Sequence, residues 1–335
     1  HHLAISYGAS GSWYYIEEQT TELATILLTL FAGLNQGYFM GLFFLIAGYF
    51  VPASLDQKGI ARFLKDRAIR LGIPLLLFAT LLSPLLNSFN EIVMSGGELS
   101  FAALWGAALE RWQHFDFSPG PLWFVEALLL FSMLYALGVW ALRASAIKGG
   151  KDTPIQLTNG KLVTVALAII LLSFVTRLFY PIGTEWVNFQ LAFFPQYIAL
   201  FSAGILAYRN KWLPELPEKI YRQWRIIAII ALFALPAMMM LPGLQENFDV
   251  IMGGWHLYAF FFAAWEGFYA LAMSIMLLGA FRRYFNHSGG LSRFLTTNAY
   301  AAYIIHPPVL IALAYSLRDF AINPLFKFSL LALPE

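Results

Sequence analysis

Stretches of about 20 mostly apolar residues, long enough to cross the hydrocarbon core of a bilayer as α-helix, recur along this chain from one end to the other. Away from water such a run must satisfy every backbone N–H and C=O within the protein, which restricts a spanning segment to a helix or a closed barrel. By that ruler, helical spans fall near 1–8, 24–51, 72–94, 121–142, 162–180, 187–208, 226–242, 255–280, 297–317 and 322–333. The chain opens on HHLAISYG and closes on a short apolar run ending in Pro334, so the first and last of these read as truncated helices. Composition agrees: 59% of the 335 residues are hydrophobic and 12% charged, where a soluble domain carries about 25% charged residues. The expected fold is all-α, a polytopic membrane helix bundle of about ten spans forming one domain over 1–335.

The basic residues orient it. They gather in the loops after the second, fourth, sixth and eighth spans: Lys58, Arg62, Lys65, Arg67 and Arg70; Arg143, Lys148, Lys151 and Lys161; the 209–225 segment; and Arg282, Arg283 and Arg293. Acidic residues such as Glu17, Glu22, Glu91, Glu110, Glu246 and Asp249 collect on the other side. Loops rich in Lys and Arg stay in the cytoplasm, so the chain is expected in a bacterial cytoplasmic membrane with those loops inside. With no Cys there is no disulfide, thiolate nucleophile or Cys-ligated metal. Asn159-Gly160, Gly149-Gly150 and the prolines at 214 and 217 mark flexible connections.

The segment from Gly41 to Pro74 leaves the bilayer, runs as a short cationic helix and re-enters. On that helix Ile60, Phe63, Leu64, Arg67 and Leu71 fall at i, i+3, i+4, i+7 and i+11 and share one stripe. A merely solvated basic face would keep its cations opposite the apolar stripe. Arg67 interrupts it, with Arg70 three residues on, and Arg presents a planar fork suited to phosphate oxygens. Positive-inside bias and anionic lipid account for the remaining cations.

Ionisable side chains inside spans cost roughly 2.5–3.5 kcal/mol on insertion scales, so each is a functional candidate. Here they are His1, His2, Glu126, Arg177, Glu266 and His306, joined by the amides of Asn35 and Gln36. Pro307-Pro308 frees backbone carbonyls on the turn before, beside His306. The bland alternative is that such groups hydrogen-bond across helices and hold the bundle together. Adjacent His1 and His2 point about 100° apart on a helix, and with no HExxH or further His cluster no metal site is expected. Trp13, Tyr14, Tyr15, Trp112 and Trp123 near the outer boundary read as an interfacial aromatic belt.

Four blocks, HHLAISYG, FFLIAGYFVPASL followed by FLKDRAIRLGIP, GPLWFVEALLLF and NAYAAYIIHPPVL, together resemble the family-three membrane acyltransferases, including their glucan-modifying branch. They lie in the family's order and cover nearly the whole chain. The resemblance implies an enzyme that moves an acyl group, usually acetyl with succinyl as the alternative, from cytoplasmic acyl-coenzyme A to a hydroxyl of an extracytoplasmic glycan or similar acceptor. It assigns the essential first-span His to His2, with His1 as the fallback. It maps donor-side cations to Arg67 and Arg70, and family motif positions to Trp123 and Glu126 and to Tyr303 and His306. Asn35 joins them as a pocket residue. The family's basic residue eleven positions before its His would precede residue 1, and Ala47 stands where the family commonly has Ser.

Acyl transfer needs a base for the attacking hydroxyl, and neutral His serves near neutral pH. A thioester donor is already activated, so the reading calls for acyl-coenzyme A, a hydroxyl acceptor and membrane lipid as partners, with no metal and no nucleic acid. In it His2 is general base or transient acyl carrier, and Glu126 orients it or accepts its proton. Two other readings fit the composition: a secondary transporter using Glu126, Glu266 and His306 as a proton relay, which would favour paired broken helices in two halves, and a non-catalytic lipid-binding or sensory membrane protein.

Overall fold

The structure is a computed structural model and describes residues 1–18, 20–144, 155–242, 244, 247–286 and 289–332. Lys148, Lys151, Gly149-Gly150, Glu246 and position 333 of the last expected span lie outside the described residues. The described chain is all-α: α1 (His2–Ser6), α2 (Glu22–Gln36), α3 (Phe39–Lys58), α4 (Ile60–Arg67), α5 (Ile73–Leu77), α6 (Ser83–Met94), α7 (Phe101–Gln113), α8 (Trp123–Ala144), α9 (Asn159–Phe179), α10 (Phe194–Arg209), α11 (Glu218–Met239), α12 (Leu257–Tyr284), α13 (Gly290–Ser316) and α14 (Pro324–Ala332). Among the described residues eight helices are long and apolar enough to cross a membrane, and they correspond to the eight complete spans expected from the sequence. The short helices α1 and α14 fall within the first and last of the expected spans.

Many large apolar side chains face outward and a few charged or amide groups lie in the apolar interior, unlike a soluble bundle. Leu171, Leu172, Ile230 and Phe233 are exposed, while Arg177, Gln196 and Glu266 are buried. Lipid is as apolar as a leucine side chain, so no hydrophobic force drives helices together, and close backbone approach and polar contacts must do so.

The contacts group the chain into two compact units, one of His1–Asn35, Ile69–Glu126 and Ser288–Glu335, the other of Gln36–Ala68 and Ala127–His287. In the second unit, α3 and α10 meet backbone to backbone. Gly48 faces the Phe201 carbonyl and Gly204 faces the Leu45 carbonyl, neither leaving room for a Cβ. Gly204→Ala is therefore expected to destabilise the protein by about 1–3 kcal/mol, the usual penalty of overpacking, measured as thermal unfolding in detergent; an unchanged melting temperature would refute this contact. Trp265 Nε1 donates to the Ala231 carbonyl at 2.7 Å and ties α12 to α11. At the basic end, Arg209 holds Asp56 through both guanidinium nitrogens (2.5 and 3.1 Å), and Lys58 pairs with Asp66 at 2.6 Å.

Deep in the same unit Arg177, on α9, is ion-paired with Glu266 on α12, both about 1% exposed. Arg177 Nε also donates to the Ala192 carbonyl, and its guanidinium lies 5.3 Å from the Phe193 ring centre and 5.5 Å from that of Phe262. Two charges that the sequence offers separately thus form one neutral pair.

The re-entering helix contains π-helical turns at Ala68–Gly72 and Phe78–Leu82. Each is followed within two residues by a proline, Pro74 or Pro84, which cannot donate to the carbonyl four residues back. For Pro84 that acceptor is Thr80, and Trp112 Nε1 takes it at 2.6 Å, pinning α7. Arg111 bonds Glu91 at 2.7 Å and fastens the same helix to α6. Lys327, fully buried on α14, pairs with Glu17 at 2.7 Å, so an acidic residue read from the sequence as outer-side charge is the internal partner of a cation.

Candidate active site

The first unit gathers four sequence-predicted residues, and the local chemistry explains how. His2 opens α1, a helix of only five residues, after which the chain folds back over it: the Ala9 amide donates to the Ala4 carbonyl at 2.8 Å and the Glu17 amide to that of Ser6 at 2.9 Å. The reversal passes through Gly11 (φ +151°), where a Cβ would stand 2.8 Å from the Ile5 side chain. Only glycine tolerates both that conformation and that closeness.

The returning strand of loop lays the Trp13 indole flat on the His2 imidazole, ring centres 3.8 Å apart and planes within 15°. His306 joins them, 5.4 Å from His2 and 6.3 Å from Trp13, again with nearly parallel planes. Tyr303, one turn before on α13, stacks against His306 at 5.6 Å and meets the Phe124 ring edge-on at 6.4 Å. Its hydroxyl donates to the Pro121 carbonyl, which binds α13 to the turn preceding α8.

Proline chemistry sets His306. The α-helical donor to the Tyr303 carbonyl would be the N–H of residue 307, and a π-helical one that of residue 308; both are proline. His306 Nδ1 occupies the carbonyl instead, at 2.5 Å. The freed acceptor expected from Pro307-Pro308 is thus used by the neighbouring imidazole.

His1 meets His2 edge-on, at 5.7 Å with planes 84° apart, as adjacent helical positions require. Trp123 and Glu126 stand half-buried in the first turn of α8. Asn35 Nδ2 bonds back to the Phe31 carbonyl of its own helix. Arg67 lies in the second unit, half-buried, its guanidinium 5.2 Å from the Phe63 ring centre; Arg70 belongs to the first unit and is exposed at the π turn. The stripe expected around Arg67 is present, with Phe63 and Leu71 buried.

Trp13, Tyr14 and Tyr15 are buried; they are core residues of the first unit and not an interfacial belt. Burial pushes the Tyr14 phenol up to about 12, so it stays protonated at neutral pH, and its hydroxyl abuts Gly120 (φ +47°), where no side chain fits. The sequence reading placed Trp13 in the interfacial belt and not beside His2, and the signal against that was the pair Gly8 and Gly11, which turn the chain back just before it. Around the rings, His2 Nδ1, Trp13 Nε1, Ser6 Oγ and the Tyr7 hydroxyl are buried with no hydrogen-bond partner among the described residues. Among the described residues no three His, Asp or Glu side chains stand together as a metal site would need.

The arrangement offers two imidazoles in a mostly apolar, aromatic surround, a setting in which a proton can be taken from a hydroxyl without competition from bulk water. The family model described as an acyltransferase domain matches residues 1–334. No curated protein and no solved structure matches the chain.

Proposed function

The chain belongs to acyltransferase family 3, and from that premise we propose that it moves an acetyl group from cytoplasmic acetyl-coenzyme A to a hydroxyl of an extracytoplasmic glycan. The observation that carries the proposal is the packing of His2, the residue to which the resemblance gives the essential role, against His306 and Trp13 inside the first unit. The chain is an integral membrane acyltransferase; donor, acceptor, sidedness and a bacterial cytoplasmic membrane are parts of the proposal.

In the proposed reaction the His2 imidazole takes the proton of the acceptor hydroxyl as its oxygen attacks the thioester carbonyl. A C–O bond forms, the C–S bond breaks, and the departing coenzyme A thiolate accepts a proton, leaving ester and free thiol. Arg67 and Arg70 hold the phosphates of the donor, their forks matched to phosphate oxygens. Phe63 supports this for Arg67, since its ring centre lies 5.2 Å from the guanidinium and an aromatic face steadies a cation. Glu126 is the proposed partner for the proton, and Trp123 and Asn35 line the acceptor's path. A transporter reading would need Glu266 as a proton carrier; it is instead tied to Arg177, which argues for a structural role.

The test uses purified protein in lipid vesicles with labelled acetyl-coenzyme A. Arg67→Gln and Arg70→Gln are each expected to raise the donor Kd by about 10–100-fold, as loss of a charge-assisted hydrogen bond does, with membrane insertion unchanged. Donor affinity equal to that of the native chain would return both arginines to topology alone, and uptake of label into the vesicles without coenzyme release would favour the transporter.

A further inference from the structure

Trp13 is 8% exposed, although it sits in the loop between α1 and α2 in a region rich in exposed polar residues. Three features bring it inward: the Ala9 to Ala4 and Glu17 to Ser6 backbone bonds, the reversal at Gly11, and the packing of Ile5 where a Gly11 side chain would be. The loop serves to deliver a flat ring onto His2.

His2 needs such a device. Its Nδ1 is buried without a hydrogen-bond partner among the described residues. A functional imidazole is usually oriented through that nitrogen, by a carboxylate or a carbonyl. Here the ring is gripped by its face instead, at 3.8 Å and 15° from the indole. A face-held imidazole leaves Nδ1 on its edge without a hydrogen-bond partner that a reacting hydroxyl would have to displace. The same indole face attracts the positive charge that appears on the ring when it takes a proton.

We propose that Trp13 is a positioning residue for His2, setting the plane of the imidazole by stacking so that its edge meets the acceptor hydroxyl. The inference rests on the reading of His2 as the base and is separable from it by experiment. The protein in lipid vesicles is given labelled acetyl-coenzyme A and β-glucan oligosaccharides, and initial rates are compared for Trp13→Ala, Trp13→Phe, His2→Ala and the double variant. Trp13→Ala is expected to lower kcat by about 10–100-fold, the scale of a misplaced reacting group, with donor KM unchanged. Trp13→Phe, which keeps a flat face, is expected to recover most of the rate. On a His2→Ala background Trp13→Ala is expected to remove nothing further, because two residues acting as one unit are not additive.

Native kcat in Trp13→Ala, with His2→Ala inactive, would overturn the positioning role and leave the base in place. Full activity in His2→Ala would overturn the base itself. An equal further loss in the double variant would show Trp13 acting independently of His2, which also overturns the inference. Should Trp13→Ala fail to accumulate, Trp13→Leu supplies apolar volume without a flat face, and a kcat equal to that of Trp13→Phe would refute the role of stacking.

Discussion

His2→Ala is expected to lower the rate of acyl transfer by about 10²–10⁴-fold, the usual contribution of a positioned general base, while leaving donor affinity within a factor of two or so of native, since His2 makes no contact assigned to the donor. The variant should still fold. His2 is half-buried, and its removal deletes a stacking partner without opening a charge in the core. His1→Ala serves as the control: its ring stands edge-on to His2 and its plane is turned by 84°, so the two cannot present the same nitrogen to one hydroxyl. A larger loss in His1→Ala than in His2→Ala would move the role to the fallback residue. If the rate loss in His2→Ala were matched by a tenfold or greater loss of donor binding, the residue would belong to the donor site, and the base would have to be sought at His306.

The second large effect concerns stability. Removing either member of the Arg177–Glu266 pair leaves the other charged and buried at about 1% exposure, and breaking a buried ion pair from one side costs about 3–5 kcal/mol. Glu266→Ala and Arg177→Leu should each deplete the protein from the membrane fraction and lower its melting temperature sharply. Replacing both together, as Arg177→Met with Glu266→Leu, is expected to restore most of that stability, because the desolvation penalty disappears along with the attraction. Melting curves of the three variants in one detergent decide the matter. A double variant no more stable than the singles would mean that the pair does more than neutralise itself, and the orphaned Glu266 Oε1 and Arg177 Nη1 atoms, buried without hydrogen-bond partners among the described residues, are where that further role would lie.

Much of the architecture could be read from the chain because the bilayer enforces it. A run such as 162–180 has one structural answer in hydrocarbon, so span positions follow from length and apolarity alone. The Arg67 stripe was legible for the same reason, as a period of 3.6 residues that a charge interrupts. The freed Tyr303 carbonyl followed from Pro307 and Pro308, a covalent fact. Pairings between distant elements were not legible. Nothing in the sequence joins Arg177 to Glu266, 89 positions away, or Glu17 to Lys327, 310 positions away, because any buried acid suits any buried base until packing chooses. Trp13 was misjudged by a rule of averages: aromatics near a boundary usually face the interface, and only the reversal at Gly11 sends this one inward.

The prolines of α13 carry a consequence for where a proton can go. The Tyr303 carbonyl can only accept a hydrogen bond, so His306 Nδ1 must carry the hydrogen it gives. In its neutral form that ring therefore has a single lone pair, on Nε2, and a proton arriving at His306 has one door. The imino acids at 307 and 308 thus select a tautomer on the neighbouring side chain: by withholding backbone hydrogens they make the imidazole spend its own. A residue with an N–H at 307 would compete for the same carbonyl, and the choice of which nitrogen is basic would pass from the covalent chain to the surroundings.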